Sequence, residues 1–423
     1  MIARVGSWIN SARRHALATV VALAGASFLI GAAVSFKSGS TLDYSDEHDY
    51  VNLARHLADG LGFSANGKTP TAFRPPAWPA VISAVDFVGG GITLTRLVNV
   101  GFFSLSVIAL YALVRRIAGS DAGLLAAAAL AVYPLSLYTS TKLFPASLAL
   151  LLVTVGLLAI VAANDTEVPM TRVLWAAAAG ACFGLVGLTE AAYLVIGVVA
   201  FVWSLWRRVS LQRVMTIALP LALVTIIPLA AWGIRNESQL GSFVPVSTNG
   251  GLNLLLGNSP NATPTSGVDA NITTNLNEAK RRGLDEAETD RYFREQAIDW
   301  IKHNPGRASS LYVRKLANFF NYRSNVVTRD QQSRVTDLLG AITFYPLLAL
   351  FALRLAAFRK IPLVRGEGLL VTSYLLYAMT AALFFTRIRF RVPVDQLMIG
   401  VIACGVIAWT RARAPRPAAA PAG

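Results

Sequence analysis

The chain has 423 residues, of which 54% are hydrophobic and only 14% charged. A soluble domain carries about a quarter charged residues, so much of this chain faces something other than water. The net charge of +15 does not point to nucleic acid. There is no zinc-ligand spacing and no aromatic–basic RNA motif, and Lys and Arg gather in the cytoplasmic loops and headgroup layers of membrane proteins.

Apolar runs fall near 16–36, 92–115, 121–140, 144–163, 172–188, 191–207, 212–233, 335–357, 367–385 and 393–410. That makes about ten spans by the length of roughly 20 residues that a hydrocarbon core demands. The expected fold is an all-α polytopic membrane bundle. The first run follows Arg13-Arg14-His15; it is long for a signal peptide and reads as an uncleaved signal anchor. Cys182 and Cys404 lie inside apolar runs and read as small core residues, not as a disulfide or metal pair.

Lys and Arg in the short loops set the orientation. Arg4, Arg13 and Arg14 put the N-terminus in the cytoplasm. Arg115, Arg116, Arg172, Arg207, Arg208, Arg213, Arg359, Lys360 and Arg365 fall on the same side when the spans alternate, as does the tail from Arg411 to Arg416. The chain then divides into an N-terminal transmembrane module (1–233) with a first outer loop at 37–91, an outer segment (234–332), C-terminal transmembrane helices (333–411) and a Pro/Ala-rich tail (412–423) that reads as disordered. In the outer segment, 247–263 is dense in turn formers and lacks helical periodicity. Residues 285–322 read as two amphipathic helices broken at Asn304-Pro305, with Tyr292, Ile298, Trp300 and Ile301 facing the membrane or the bundle. No separate folded domain is expected there.

The first outer loop holds the densest chemistry. Asp43, Asp46, Glu47 and Asp49 fall within seven residues. Ser45 reads as the N-cap of a helix over 46–59, which supplies a purely structural role for the acids, since carboxylates in a first helical turn interact favourably with the helix dipole. A catalytic role is equally open. The loop at 386–393 carries Arg387, Arg389 and Arg391 on the outer side, where cationic loops are disfavoured. Either one span is miscounted or the arginines hold an anion, which guanidinium binds through bidentate bonds; the second reading is the better one. Sugar transfer to a hydroxyl needs a base near the attacking oxygen and positive charge on the departing phosphate. Outer acids and outer arginines together supply both. Glu190, at a span end, is a functional candidate because ionisable groups at membrane depth are costly. Arg74-Pro75-Pro76 with Pro79 forms a stiff re-entry turn.

These residues resemble a known family. Asp46-Glu47-x-x-Tyr50, Leu53-Ala54, Gly60-x-Gly62-Phe63 and Thr71-Ala-Phe-Arg-Pro-Pro76-x-x-Pro79 are similar to the first outer loop of bacterial GT-C glycosyltransferases, the relatives of protein O-mannosyltransferases and lipid A aminoarabinose transferases. Tyr133-Pro134, Trp232-x-x-Arg235-Asn236, Ser247-Thr-Asn-Gly-Gly-x-Asn253, Gly257-Asn258-x-Pro260 and Arg389-Phe-Arg-x-Pro393 follow in the same order. The resemblance implies an inverting enzyme that moves a hexose or pentose from a polyprenyl-phosphate donor to a lipid, glycan or protein acceptor of the cell envelope, at the outer face of the cytoplasmic membrane. It implies Asp46 as general base with Glu47 as helper, and Arg74, Arg387, Arg389 and Arg391 as donor-phosphate contacts. Asp43, Tyr50, Glu190, Arg235, Asn249 and Asn253 complete the candidate substrate contacts. No cofactor or metal site is expected, although an acid-rich loop can hold a divalent ion. Two departures stand out: Phe144-Pro145-Ala146 replaces a Glu that opens the fourth span in many relatives, and Leu188-Thr-Glu-Ala191 replaces Leu-Thr-Arg-Pro. The competing class is a transporter or flippase of lipid-linked sugars. That class places ionisable or broken-helix elements at the membrane midplane, often in inverted repeats. Here the spans are nearly free of charge and no internal repeat is visible.

Overall fold

The computed structural model describes residues 15–206, 210–265, 270–322 and 334–413. Arg4, Arg13, Arg14, Arg207, Arg208 and the tail from residue 414 onward lie outside them.

Helices account for nearly all the regular structure, and no strand forms among the described residues. In chain order the first are α1 (Ala16–Ser38), α2 (Ser45–Ala58), α3 (Ala77–Phe87) and α4 (Gly91–Ala118). They are followed by α5 (Ser120–Ala131), α6 (Pro134–Ser140), α7 (Ala146–Asp165) and α8 (Pro169–Gly187). A turn at Ala191–Tyr193 leads into α9 (Leu194–Leu205), and α10 runs over Leu211–Leu240. The long polar segment forms α11 (Gly250–Gly257), α12 (Thr273–Arg281), α13 (Glu286–His303) and α14 (Pro305–Phe319). The last three are α15 (Arg334–Ala356), α16 (Arg365–Ala381) and α17 (Ile388–Arg413).

Seven of these helices are long and apolar enough to cross a membrane, and the chain is a multi-pass membrane protein. The other three expected spans are present in altered form. Residues 121–140 become α5 and α6, bent by 58° at a break; Pro134, lacking an N–H, starts α6. The expected spans 191–207 and 367–385 become the shorter helices Ala191–Leu205 and Arg365–Ala381.

The axis of the bundle is α17, buried continuously from Arg391 to Gly405. It packs against α4, α5, α7, α15 and α16, whereas α10 lies at the edge with most of its apolar surface turned outward. Polar groups buried along α17 pair with one another and with neighbouring helices. Arg391 pairs with Asp395 at 3.1 Å, which also accepts from Tyr133 at 2.8 Å and Tyr374 at 3.4 Å. Tyr133 of the Tyr-Pro pair thus ties the α5–α6 bend to the central helix.

The two ends of the bundle differ. At one end, Arg116 meets Asp165 at 2.8 Å, and Arg213 and Arg365 both donate to Asn164 Oδ1. At the other end of the 28-residue α4, Asn99 donates to the carbonyls of Lys142 and Phe144, and Arg96 to those of Gly39 and Thr41. The second end carries the loop before α3 and the segment α11–α14.

The expected break at Asn304-Pro305 is present between α13 and α14. Asp285 caps α13 and exchanges hydrogen bonds with Glu288. Two local expectations are corrected. The helix after Asp43 begins at Ser45 with Tyr44 as N-cap, and Glu47, not Ser45, takes the free N–H groups of Asp43 and Tyr44. The stretch 247–263, read as turns, contains helix α11. It starts where Gly251 N donates to Asp290 Oδ1 at 2.5 Å, and its Leu255 packs with Tyr292, Phe293 and Ala297 of α13. Only glycine fits at Gly251, because a Cβ there would lie 1.9 Å from the Asp290 carbonyl oxygen.

Removing one partner of a buried ion pair leaves the other charge uncompensated, at a cost of about 3–5 kcal/mol. Asp395→Ala is therefore expected to lower the thermal unfolding midpoint of the purified protein sharply, and Asp395→Asn less so. Unfolding followed by tryptophan fluorescence in detergent measures both.

Candidate active site

A cavity of about 760 Å³ opens at the end of the bundle that carries α2 and α11–α14. Asp46 lies in its wall with both carboxylate oxygens occupied: Arg74 donates to Oδ1 at 2.6 Å and Arg389 lies 2.6 Å from Oδ2. Arg74 also reaches Asp49 at 2.7 Å. Aromatic rings flank both guanidiniums, Tyr50 and Phe73 for Arg74, Phe144 and Phe390 for Arg389. The buried Nε of each arginine has no acceptor among the described residues. Arg96 Nε and Arg391 Nη2, away from the cavity, are likewise buried without an acceptor among the described residues. Burial pushes the Asp46 carboxyl up, but Arg389 and Arg74 outweigh it and hold it below the ordinary carboxylate range.

Each arginine is delivered by long-range contacts. The turn bearing Arg74 is fixed by Glu286 of α13, which accepts from Thr71 Oγ1, Ala72 N and Thr248 Oγ1 at 2.6–2.8 Å. Ala77 N donates to Leu188 O at 3.0 Å, which sets the same turn beside the α8–α9 junction. The segment before Arg389 is held by Lys315 of α14. This fully buried ammonium donates to the carbonyl oxygens of Gly257, Leu383 and Phe384 and to Asn258 Oδ1. Asn318 adds bonds to Thr386 at 3.0 and 2.9 Å.

The sequence candidates divide. Asp46, Tyr50, Arg74, Glu190, Asn249, Asn253 and Arg389 all line the cavity. Asp43 does not; it pairs with Lys142 outside it. Glu47, expected as a catalytic helper, does not line the cavity either. It is fully buried, and its oxygens accept from the backbone N–H groups of Asp43, Tyr44 and Leu143 at 2.7–3.0 Å. Arg235 is likewise turned to the backbone, donating to Thr71 O at 2.9 Å and Phe63 O at 3.1 Å while stacked on Trp232. Arg387 stacks on Phe385 outside the lining.

Arg391 is also corrected. The arginines do not share a loop, because α17 already begins at Ile388. Residues two apart on a helix point about 200° apart, so Arg389 faces the cavity and Arg391 faces inward. There it is fully buried and donates to Phe319 O and Asn321 O.

Sequence reading missed Asp290, Arg291 and Arg294 of α13, which line the polar mouth of the cavity with Asn249 and Asn253. Asp290 binds Arg294 at 2.6 Å. It also missed the fixing roles of Glu286 and Lys315. The only local signal for these was an amphipathic helix, which does not say which polar side chain faces a cavity. Among the described residues, no group of three or more His, Cys, Asp or Glu is placed to hold a metal ion.

Residues 74–232, well under half of the chain, match the family model described as dolichyl-phosphate-mannose-protein mannosyltransferase. That stretch of the chain is similar to this mannosyltransferase family. No curated protein matches the sequence. Among solved structures, an oligosaccharyltransferase from Archaeoglobus fulgidus in the apo form aligns with a TM-score of 0.50 at 15% identity, over 90% of this chain and 50% of that one. ArnT from Cupriavidus metallidurans in the apo state aligns with a TM-score of 0.44 at 15% identity, over 95% of this chain and 78% of that one. Its complex with undecaprenyl phosphate aligns with a TM-score of 0.43 at 16% identity, over 92% and 78%. The chain spans about half the length of the oligosaccharyltransferase, and that likeness concerns the fold. The all-α polytopic architecture read from the sequence is the one observed.

Charge-assisted hydrogen bonds contribute about 1.5–3 kcal/mol each. Glu47→Ala, which frees three buried N–H groups, is expected to cost several kcal/mol of stability and to lower the unfolding midpoint by many degrees. Glu47→Gln, which keeps one of the two acceptor oxygens, loses less. Thermal unfolding of the two variants side by side checks the order.

Proposed function

We propose that the protein transfers a sugar from a polyprenyl-phosphate donor to a hydroxyl of a cell-envelope acceptor, with inversion at the anomeric carbon. The observation that carries this reading is the arginine–carboxylate–arginine arrangement in the cavity wall, Arg74–Asp46–Arg389. Two guanidiniums converging on one carboxylate also converge on the place a phosphate would take, and guanidinium donors fit phosphate oxygens as well as carboxylate oxygens. The matched family's description, with its dolichyl-phosphate-mannose donor, supports the same chemistry.

In this reading the donor phosphate competes with Asp46 for the two guanidiniums. As the bond to the sugar breaks, charge grows on the phosphate, and donors already aimed at it lower the barrier without further reorganisation. The aromatic flanks of each arginine restrict its rotation, and the orphaned Nε groups supply further donors. Asn249, Asn253 and the α13 arginines at the mouth would contact the acceptor or the sugar. The resemblance gives Asp46 the part of general base. With both oxygens bound to guanidiniums, its first part is to hold the arginine pair in register.

The catalytic end is proposed to face outward from the cytoplasmic membrane, with both termini inside. The clustering of Arg116, Arg213 and Arg365 at the opposite end of the bundle supports this orientation.

The test uses purified protein in lipid nanodiscs with a panel of radiolabelled polyprenyl-phosphate sugars and cell-envelope fractions. Mass spectrometry reads which acceptor gains mass. Transfer from at least one donor is expected, and its absence across the panel removes the transferase reading. Binding of undecaprenyl phosphate, measured independently by native mass spectrometry, is expected to weaken at least about tenfold in Arg389→Met and in Arg74→Met. Asp46→Asn, which removes the competing charge, is expected to keep that binding while transfer falls at least tenfold.

A further inference from the structure

Glu190 stands at the junction between α8 and the turn that opens α9, in extended backbone with φ −164° and ψ 126°. Its side chain lines the cavity. Four carboxyl groups do so. Asp46 gives both oxygens to Arg74 and Arg389. Asp290 is bound by Gly251 N and Arg294. Glu237 is exposed to solvent. Glu190 is the partly buried one that accepts no hydrogen bond and forms no ion pair among the described residues.

The surroundings explain why it is unpartnered. The adjacent rings of Tyr193 and Tyr377 stack 4.9 Å apart, and both hydroxyls donate to Phe390 O, at 3.4 and 2.8 Å, so neither is free to donate to the carboxylate. The charged and titratable groups around Glu190 are Arg389 of α17, Asp46 and Tyr50 of α2, and that tyrosine pair. Burial pushes the Glu190 carboxyl up to about 7, with Arg389 pulling it down and Asp46 adding to the rise. The hydrogen bond from Ala77 N to Leu188 O fixes this junction against the turn that carries Arg74. The free carboxyl is thereby held at a set distance from the phosphate-binding pair, on a different structural element.

We infer that Glu190 is the general base that takes the proton from the acceptor hydroxyl. The inference rests on the transferase reading above and names a residue for the one part that Asp46, in its occupied state, is poorly placed to fill. In the step, the acceptor oxygen bonds to the anomeric carbon of the donor sugar. The bond from that carbon to the phosphate oxygen breaks, and its electron pair stays on the phosphate held by Arg74 and Arg389. The hydroxyl proton passes to the Glu190 carboxylate and from there to water in the cavity. A base works best when its pKa lies near the operating pH; a carboxylate pinned by two guanidiniums lies well below it. The residue must be ionised to act, so turnover rises with pH through the region near 7.

The experiment compares wild type, Glu190→Gln, Glu190→Asp and Asp46→Asn with the donor found active in the panel. Single-turnover rates are measured from pH 5 to 9, alongside binding of undecaprenyl phosphate. Glu190→Gln is expected to lower kcat about 10²–10⁴-fold, with the donor KM and undecaprenyl phosphate binding within about threefold. The acidic limb near pH 7 disappears from its residual activity, and Glu190→Asp recovers part of the rate. A Glu190→Gln protein that keeps its kcat while Asp46→Asn loses its own gives the base role to Asp46 and overturns the assignment. If Glu190→Gln does not fold, the wild-type profile decides: a rate that stays flat down to pH 5 overturns it equally. Wild-type protein that transfers from no donor removes the transferase reading and this inference together, a result distinct from loss confined to the variants.

Discussion

Two guanidiniums at one cavity wall repel each other, and the whole polar end of this protein is arranged so that they stay together. Asp46 compensates the repulsion directly, with an oxygen for each arginine at 2.6 Å. Compensation alone does not position anything. Arg74 sits on a proline-stiffened turn and Arg389 on the first turn of the central helix, more than three hundred residues apart in the chain. Their meeting requires that α2, the turn before α3 and the start of α17 all be rigid with respect to one another.

That rigidity comes from buried polar clamps aimed at backbone groups. Glu47 closes the start of α2, Glu286 grips the turn below Arg74, Arg235 grips the same loop from α10, and Lys315 gathers the carbonyls that precede α17. Loop backbone cannot satisfy its own N–H and C=O groups as a helix does, and burying them unpaired is costly. Charged side chains that donate or accept several bonds at once solve this for a loop that must be both irregular and fixed. The segment α11–α14 therefore acts as a brace over the cavity, and its helices carry groups that shape the site as well as groups that line it.

The residues that carry the resemblance to GT-C glycosyltransferases separate into two physical classes. Asp46, Arg74, Asn249, Asn253 and Arg389 present polar atoms to the cavity. Glu47, Arg235, Arg391 and Tyr133 keep the frame in place, each bonded to backbone or to a buried partner. Glu190 belongs to neither class: its carboxyl is left open to the cavity, beside a tyrosine pair whose hydroxyls are already committed.

Much of the fold was legible from the chain alone, because hydropathy over about twenty residues and helix-breaking signals such as Asn304-Pro305 are local quantities. The membrane class, the positions of the spans and the amphipathic pair α13–α14 all follow from them. What local signals do not carry is the direction of a side chain. Arg389 and Arg391 are two residues apart and chemically identical, yet one faces the cavity and the other the core, since α17 begins a turn earlier than hydropathy indicated. Asp46 and Glu47 are neighbours on one helix, about 100° apart around its axis, which sends the first to the cavity and the second into the backbone of residue 143. Composition and periodicity determined that acids and arginines share one end of a helical bundle. Helix phase and contacts between distant segments, which exist only once the chain is packed, decided which of them meet.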